Sequence, residues 1–107
     1  MTRYTGLIER YRDRLPVTDK TPVISLAEGD TPLIQLVNIP TWLGKDVEIY
    51  VKYEGLNPTG SFKDRGTTVL VTALKAAGAE TVVEDSSGNA GASLAAYAAR
   101  AGIDARV

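Results

Sequence analysis

No cysteine and no histidine occur among the 107 residues. Without cysteine there are no disulfides and no thiolate metal sites. Without histidine, imidazole-built metal sites, Ser-His-Asp triads and Cys-His dyads are excluded within the chain. Any acid or base catalyst it carries is therefore Lys, Tyr, Asp or Glu. An excess of charge is missing too: 12 Lys and Arg stand against 13 Asp and Glu, a net charge of −1. Nucleic-acid and membrane-surface proteins usually show a clear basic excess, so neither partner is expected. No apolar stretch approaches the roughly 20 residues that span a bilayer. The start, Thr2-Arg3-Tyr4-Thr5-Gly6, has no signal-peptide core, and the chain reads as cytoplasmic. That fits a metabolic enzyme and equally many other proteins.

What is present is ordinary for a globular chain: 44% hydrophobic and 23% charged residues. The length allows one domain at most. Leu7, Ile8, Tyr11 and Leu15 fall at helical spacing, and Pro16 ends that amphipathic piece. Residues 17–31 read as a loop holding Pro22 and the turn pair Gly29-Asp30. Leu33 to Val37 reads as a strand, Thr41 to Leu43 as a helical turn, and 47–53 alternates as a strand. A polar loop from Glu54 to Gly60 leads into a helix from Phe62 to about Ala77, with Val69, Leu70, Ala73, Leu74 and Ala77 as its apolar face and Gly78 as its stop. A short strand at 81–84, a loop at 85–88, an alanine-rich helix from Asn89 to Ala101 stopped by Gly102, and a strand from Ile103 complete the chain.

From residue 47 the order β-α-β-α-β predicts an α/β fold with a parallel sheet and flanking helices. A segment at 1–53 precedes the lysine loop, helices and second loop of 54–107. A three-stranded sheet of this kind leaves edges and faces uncovered, so the fold is expected to be the incomplete N-terminal part of a larger domain.

In parallel α/β sheets, ligands sit at the carboxyl ends of strands, where loops meet helix N-termini. Both polar loops fall there. Ser61 suits an N-cap, with Asp64 three residues on bonding back to the Ser61 N–H. Lys63 then lies in the first helical turn, partly buried, where the helix dipole disfavours a cation. Such a site makes sense for a lysine used as a neutral amine or an imine. Position alone leaves open a solvated surface lysine whose stem lies over the helix. A P-loop is excluded: Gly55 and Gly60 have its spacing, but Ser61 follows and the lysine comes two places late. No G-x-G-x-x-G occurs.

The second loop, Ser86-Ser87-Gly88-Asn89-Ala90-Gly91, offers backbone N–H groups and hydroxyls suited to a carboxylate or phosphate. Asn89 can bond a planar oxygen, and the small residues let a flat ligand approach closely. Taken alone, this loop reads more readily as ordinary capping of an alanine-rich helix.

Together the two loops resemble the fold-type-II pyridoxal-phosphate enzymes, the tryptophan synthase β-like family, and within it the threonine synthases. The run Asn57-Pro58-Thr59-Gly60-Ser61-Phe62-Lys63-Asp64-Arg65-Gly66 is similar to their lysine motif. Arg10 to Val17 and Glu28-Gly29-Asp30-Thr31-Pro32-Leu33 also resemble that subfamily's N-terminus. The resemblance spans essentially the whole chain. It implies that Lys63 holds pyridoxal 5′-phosphate as a Schiff base and moves protons at the substrate carbons. It implies further that Asn89 bonds the cofactor's 3′-oxygen, that Phe62 packs near the ring, and that Ser86, Ser87, Gly88 and Ala90 clamp the substrate carboxylate. Asp64 and Arg65 would brace the loop.

The reaction so implied converts O-phosphohomoserine and water to threonine and phosphate. One departure bears on the substrate: Ala90 stands where threonine synthases commonly carry a threonine, which leaves β-elimination or β-replacement on another amino acid open. The groups that hold the cofactor's phosphate and ring nitrogen are expected beyond Val107, so the 107-residue chain alone is expected to have little or no activity. A non-catalytic split fragment that assembles with a complementary chain is the alternative of a different class. A homo-oligomer or domain-swapped assembly is expected to cover the apolar edges.

Overall fold

The computed structural model describes residues 2–86 and 88–107. Its first helix is short: α1 spans Leu7–Arg10, and a 3-10 turn at Arg12–Arg14 replaces the second half of the expected helix. Only Ile8 of this stretch is buried among its apolar residues. Two strands follow, β1 at Leu33–Leu36 and β2 at Ile49–Lys52, joined through α2 at Asn38–Leu43. A left-handed Gly44 ends α2.

The expected three-stranded parallel sheet does not form. Strand β2 pairs antiparallel with β1, Leu33 opposite Lys52 and Leu36 opposite Ile49. Its sequence explains the difference. A strand inside a parallel sheet is buried on both faces and reads as a continuous apolar run. Here Glu48, Tyr50 and Lys52 alternate with Ile49 and Val51, the pattern of an antiparallel strand. No residue of β1, α2 or β2 is fully buried.

The βαβ expectation holds for the second half. Helix α3 runs over Lys63–Ala76 and α4 over Asn89–Ala101. Strand β3 at Thr81–Val83 pairs in parallel with β4 at Asp104–Arg106. Gly102, at φ 71°, terminates α4 in the left-handed conformation that a side chain disfavours. Helices α3 and α4 pack against each other, and the core gathers Val71, Leu94, Tyr97, Ala98, Ala101 and Ile103.

The buried face of α3 also departs from expectation. Asp64, Thr67, Thr68, Val71 and Thr72 face inward, whereas Leu70 is half exposed and Ala73 is exposed. These inward positions keep the helical spacing of 3 and 4, but carry hydroxyls in place of methyls. Buried threonines are stable when bonded. Thr68 Oγ1 donates to the Ile24 carbonyl at 2.7 Å, and Thr72 Oγ1 accepts from the Ile24 N–H at 2.9 Å. The extended segment around Ile24 is thereby laid along α3. Among the described residues, every buried side-chain nitrogen or oxygen has a partner.

Candidate functional site

The lysine loop is built by a turn whose residues suit it. Asn57 stands first, Pro58 second and Gly60 fourth, and the Gly60 N–H donates to the Asn57 carbonyl at 2.8 Å. Gly60 takes φ 86°, which a side chain would strain. Asn57 is itself buried. Its amide donates to the Glu54 carbonyl at 3.0 Å, and its carbonyl oxygen accepts from the Gly29 N–H at 2.9 Å. The two segments that suggested the subfamily, 28–33 and 57–66, are thus fastened to each other.

Lys63 is the first residue of α3, with Phe62 as the residue before it. Ser61 is not the N-cap that was expected: Phe62 holds that position without a side-chain cap, and the Ser61 hydroxyl accepts from the Lys63 N–H at 3.3 Å. Asp64 does not reach back to Ser61. Its carboxylate is fully buried and accepts from the Thr59 N–H at 2.8 Å, the Thr59 hydroxyl and the Ser93 hydroxyl at 2.6 Å. The turn folds Thr59 over the helix end, so Thr59 rather than Ser61 supplies the donors. Arg65 is held from the opposite side, its Nη2 2.9 Å from Glu54 Oε2 and 3.2 Å from Thr31 Oγ1. This guanidinium, through its hydrogen bond, holds the Glu54 carboxyl down at about 2.

Lys63 itself is exposed, not partly buried, because its neighbours take the anchoring contacts. Its Nζ stands over the Phe62 ring, 5.0 Å from the centroid, and takes part in no ion pair among the described residues. Phe62 is 58% exposed.

Asn89 is the first residue of α4 and Gly88 the residue before it. Asp64, in the first turn of α3, bonds Ser93, one turn into α4; at the far ends Lys75 Nζ donates to the Ala101 carbonyl at 2.9 Å. The two helices therefore run side by side in the same direction. Lys63 and Asn89 begin them at one end, where both dipoles present their positive poles. Asn89 stands four residues before Ser93, on the same side of α4, and is itself exposed. Ser86, Gly88 and Ala90 lie in or next to the approach to α4, whereas Ser87 falls outside the described residues. The smallness of Gly91 serves packing: a β-carbon there would come within 3.2 Å of the Ser86 carbonyl oxygen.

A primary amine without an ionic partner among the described residues, an exposed aromatic face beside it and a carboxamide at the adjoining helix start form a donor set that fits an aldehyde-bearing, anionic, aromatic cofactor. Residues 24–107 match the family described as pyridoxal-phosphate dependent enzymes. The chain belongs to that family. Its relatives include the threonine synthase of Synechocystis sp., 57% identical over 105 residues, and that of Bacillus sp., 55% identical over 100. The alignments take in 98% and 94% of this chain, but in both cases 28% of the relative. The threonine synthase of Methanocaldococcus jannaschii is 55% identical over 93 residues, 87% of this chain and 23% of its own. The chain thus spans about a quarter of the length of the curated relatives it matches.

Sequence reasoning missed a second polar centre. Glu28 is fully buried and accepts from the Leu7 N–H at 3.1 Å, the Ser25 hydroxyl at 3.0 Å, the Leu26 N–H at 3.0 Å and the Tyr97 hydroxyl at 2.7 Å. Burial alone pushes this carboxyl up, but the donors, Tyr97 first among them, hold it below the usual range. The Tyr97 hydroxyl is raised by burial and by the same bond to Glu28. The one available signal was a glutamate at the head of the Gly-Asp-Thr-Pro turn. Its partner Tyr97 lies 69 residues away, beyond the reach of local pattern.

Proposed function

We propose that this chain carries the lysine-bearing part of a threonine synthase-like site, in which O-phosphohomoserine and water become threonine and phosphate. The observation that carries the reading is the pairing of Lys63 and Asn89 at the common start of two parallel helices, set within a chain 50–57% identical to several threonine synthases. When bound, pyridoxal phosphate supplies an electron sink for bond changes at the amino-acid carbons. Lys63 Nζ would be the amine that holds its aldehyde and would move protons at the substrate carbons. Asn89 would donate to the ring oxygen, and Phe62 would pack beside the ring. The loop of Ser86, Ser87, Gly88 and Ala90 holds the substrate carboxylate with hydroxyl and backbone N–H donors.

A fold-type-II tryptophan synthase β-like domain and a cytoplasmic location belong to the same reading. No helix among the described residues is long and apolar enough to cross a membrane. Residues 1–53 act as the bracing segment and 54–107 as the part that bears the site. The exposed apolar residues of the β1–α2–β2 unit, among them Trp42, Val37 and Leu33, support an oligomeric or domain-swapped assembly.

The test is to supply pyridoxal phosphate and O-phosphohomoserine to the protein and follow phosphate and threonine together. Equal release of both, abolished in Lys63→Ala, is the expected result when the chain is joined to the remaining part of a threonine synthase-like enzyme, and the 107 residues alone are expected to release little of either. The absence of a hydroxyl at Ala90 gives a second reading its footing: β-elimination or replacement on another amino acid. Keto acid or a substituted amino acid in place of threonine would select it.

A further inference from the structure

We infer that Asp64 and Ser93 form a positioning pair that sets Lys63 against the Asn89 loop. This rests on the assignment of Lys63 as the cofactor lysine. Asp64 follows Lys63 directly and is 0% exposed, and Ser93 is 0% exposed as well. An aspartate in a first helical turn ordinarily serves its own helix by facing the free N–H groups there. Asp64 turns its oxygens away from them. Oδ2 takes the Thr59 N–H at 2.8 Å, and Oδ1 takes both the Thr59 hydroxyl and the Ser93 hydroxyl.

One carboxylate thus ties three segments together: the turn that delivers the lysine, the helix that starts with it, and the helix that starts with Asn89. The backbone of Lys63 has little freedom between this latch and the Arg65–Glu54 pair on its other side. Lys63 itself is exposed and has no anchor among ion pairs of the described residues. Its position relative to Asn89 is therefore inherited from residue 64. Ser93 is the group through which that position is transmitted, because it stands one helical turn after Asn89 on the same face. The Lys75 bond to the Ala101 carbonyl joins the same two helices at the opposite end and serves as an internal control.

The experiment uses the protein mixed with saturating pyridoxal phosphate. It compares the rate of Lys63 imine formation by absorbance, and separately by borohydride trapping and peptide mass, in wild type, Ser93→Ala, Ser93→Thr, Asp64→Asn and Lys75→Met. Ser93→Ala keeps both Thr59 donors on Asp64, so it remains informative if Asp64→Asn fails to fold. Ser93→Ala is expected to slow trapping by roughly tenfold or more, as small misplacements of a reacting group do. Ser93→Thr, which keeps the hydroxyl, is expected to restore the rate, and Lys75→Met to leave it unchanged. A wild-type rate in Ser93→Ala, or an equal slowing in Lys75→Met, overturns the positioning role while leaving the cofactor assignment intact. No imine at Lys63 in the wild type overturns the cofactor assignment and this inference with it.

Discussion

Among the described residues, Glu28 and Asp64 are the two fully buried carboxylates, and neither has a basic partner there. Each is satisfied by hydroxyls and backbone N–H groups. Losing a donor to a buried charge is costly, because the remaining group keeps its desolvation penalty. Tyr97→Phe removes the 2.7 Å donor from Glu28 and is expected to destabilise the fold by about 1–3 kcal/mol in urea unfolding. An unchanged midpoint would mean that Glu28 is held by its other donors alone. Glu54 has a different dependence. Its carboxyl is held at about 2 in the folded protein, against an ordinary value of 4.5, chiefly by Arg65. A depressed folded value means stability fully present above the unfolded value and lost as pH falls towards the folded one. Stability is therefore expected to decline between about pH 5 and pH 2. Glu54→Gln should flatten part of that decline in thermal melts across the same range.

Among the elements, α3, α4 and the parallel pair of β3 and β4 were legible, whereas the second half of the first helix and the partner of β2 were misread. Gly78 and Gly102 stop α3 and α4 where their residue types require, and both glycines adopt positive φ. The inward face of α3 was misread because hydrophobic periodicity weighs Val69 and Leu70 above Thr68 and Thr72. A threonine whose hydroxyl meets a carbonyl buries its methyl as well as a valine does. Thr72→Val would keep that shape and strip the Ile24 N–H of its acceptor. Its expected cost is about 1–2 kcal/mol, measured by chemical denaturation; a neutral result would show that Ile24 rebonds elsewhere. The pairing of β2 with β1 was within reach of the sequence, since the alternation of 47–53 already argues against a strand buried on both faces. In the site, the loop signals located the start of α4 at Asn89 and that of α3 to within one residue, whereas the cap expected of Ser61 and Asp64 does not form. The carboxylate that joins the two helices was not, because hydrogen bonds such as Asp64 to Ser93 are set by tertiary packing.

Across the whole molecule, the polar fastenings converge on one place. Residues 4–31 are bound to α3 and α4 through Glu28, Ile24 and Thr31, and to the lysine loop through Gly29 and Asn57. The β1–α2–β2 unit is the contrast, with Trp42 at 83% and Val37 at 69% exposure. Apolar surface of this kind marks an interaction face. Light scattering during gel filtration is expected to report an assembly larger than one chain, and a well-behaved monomer would count against it. Lys63 Nζ is the atom on which the cofactor site turns, and a single measurement reaches it. The protein is incubated with pyridoxal phosphate, reduced with borohydride, digested and mapped by mass. A phosphopyridoxyl group on the peptide carrying Lys63, absent in Lys63→Ala, is the predicted result; labelling spread evenly over Lys20, Lys45, Lys52 and Lys75, or none at all, would contradict it.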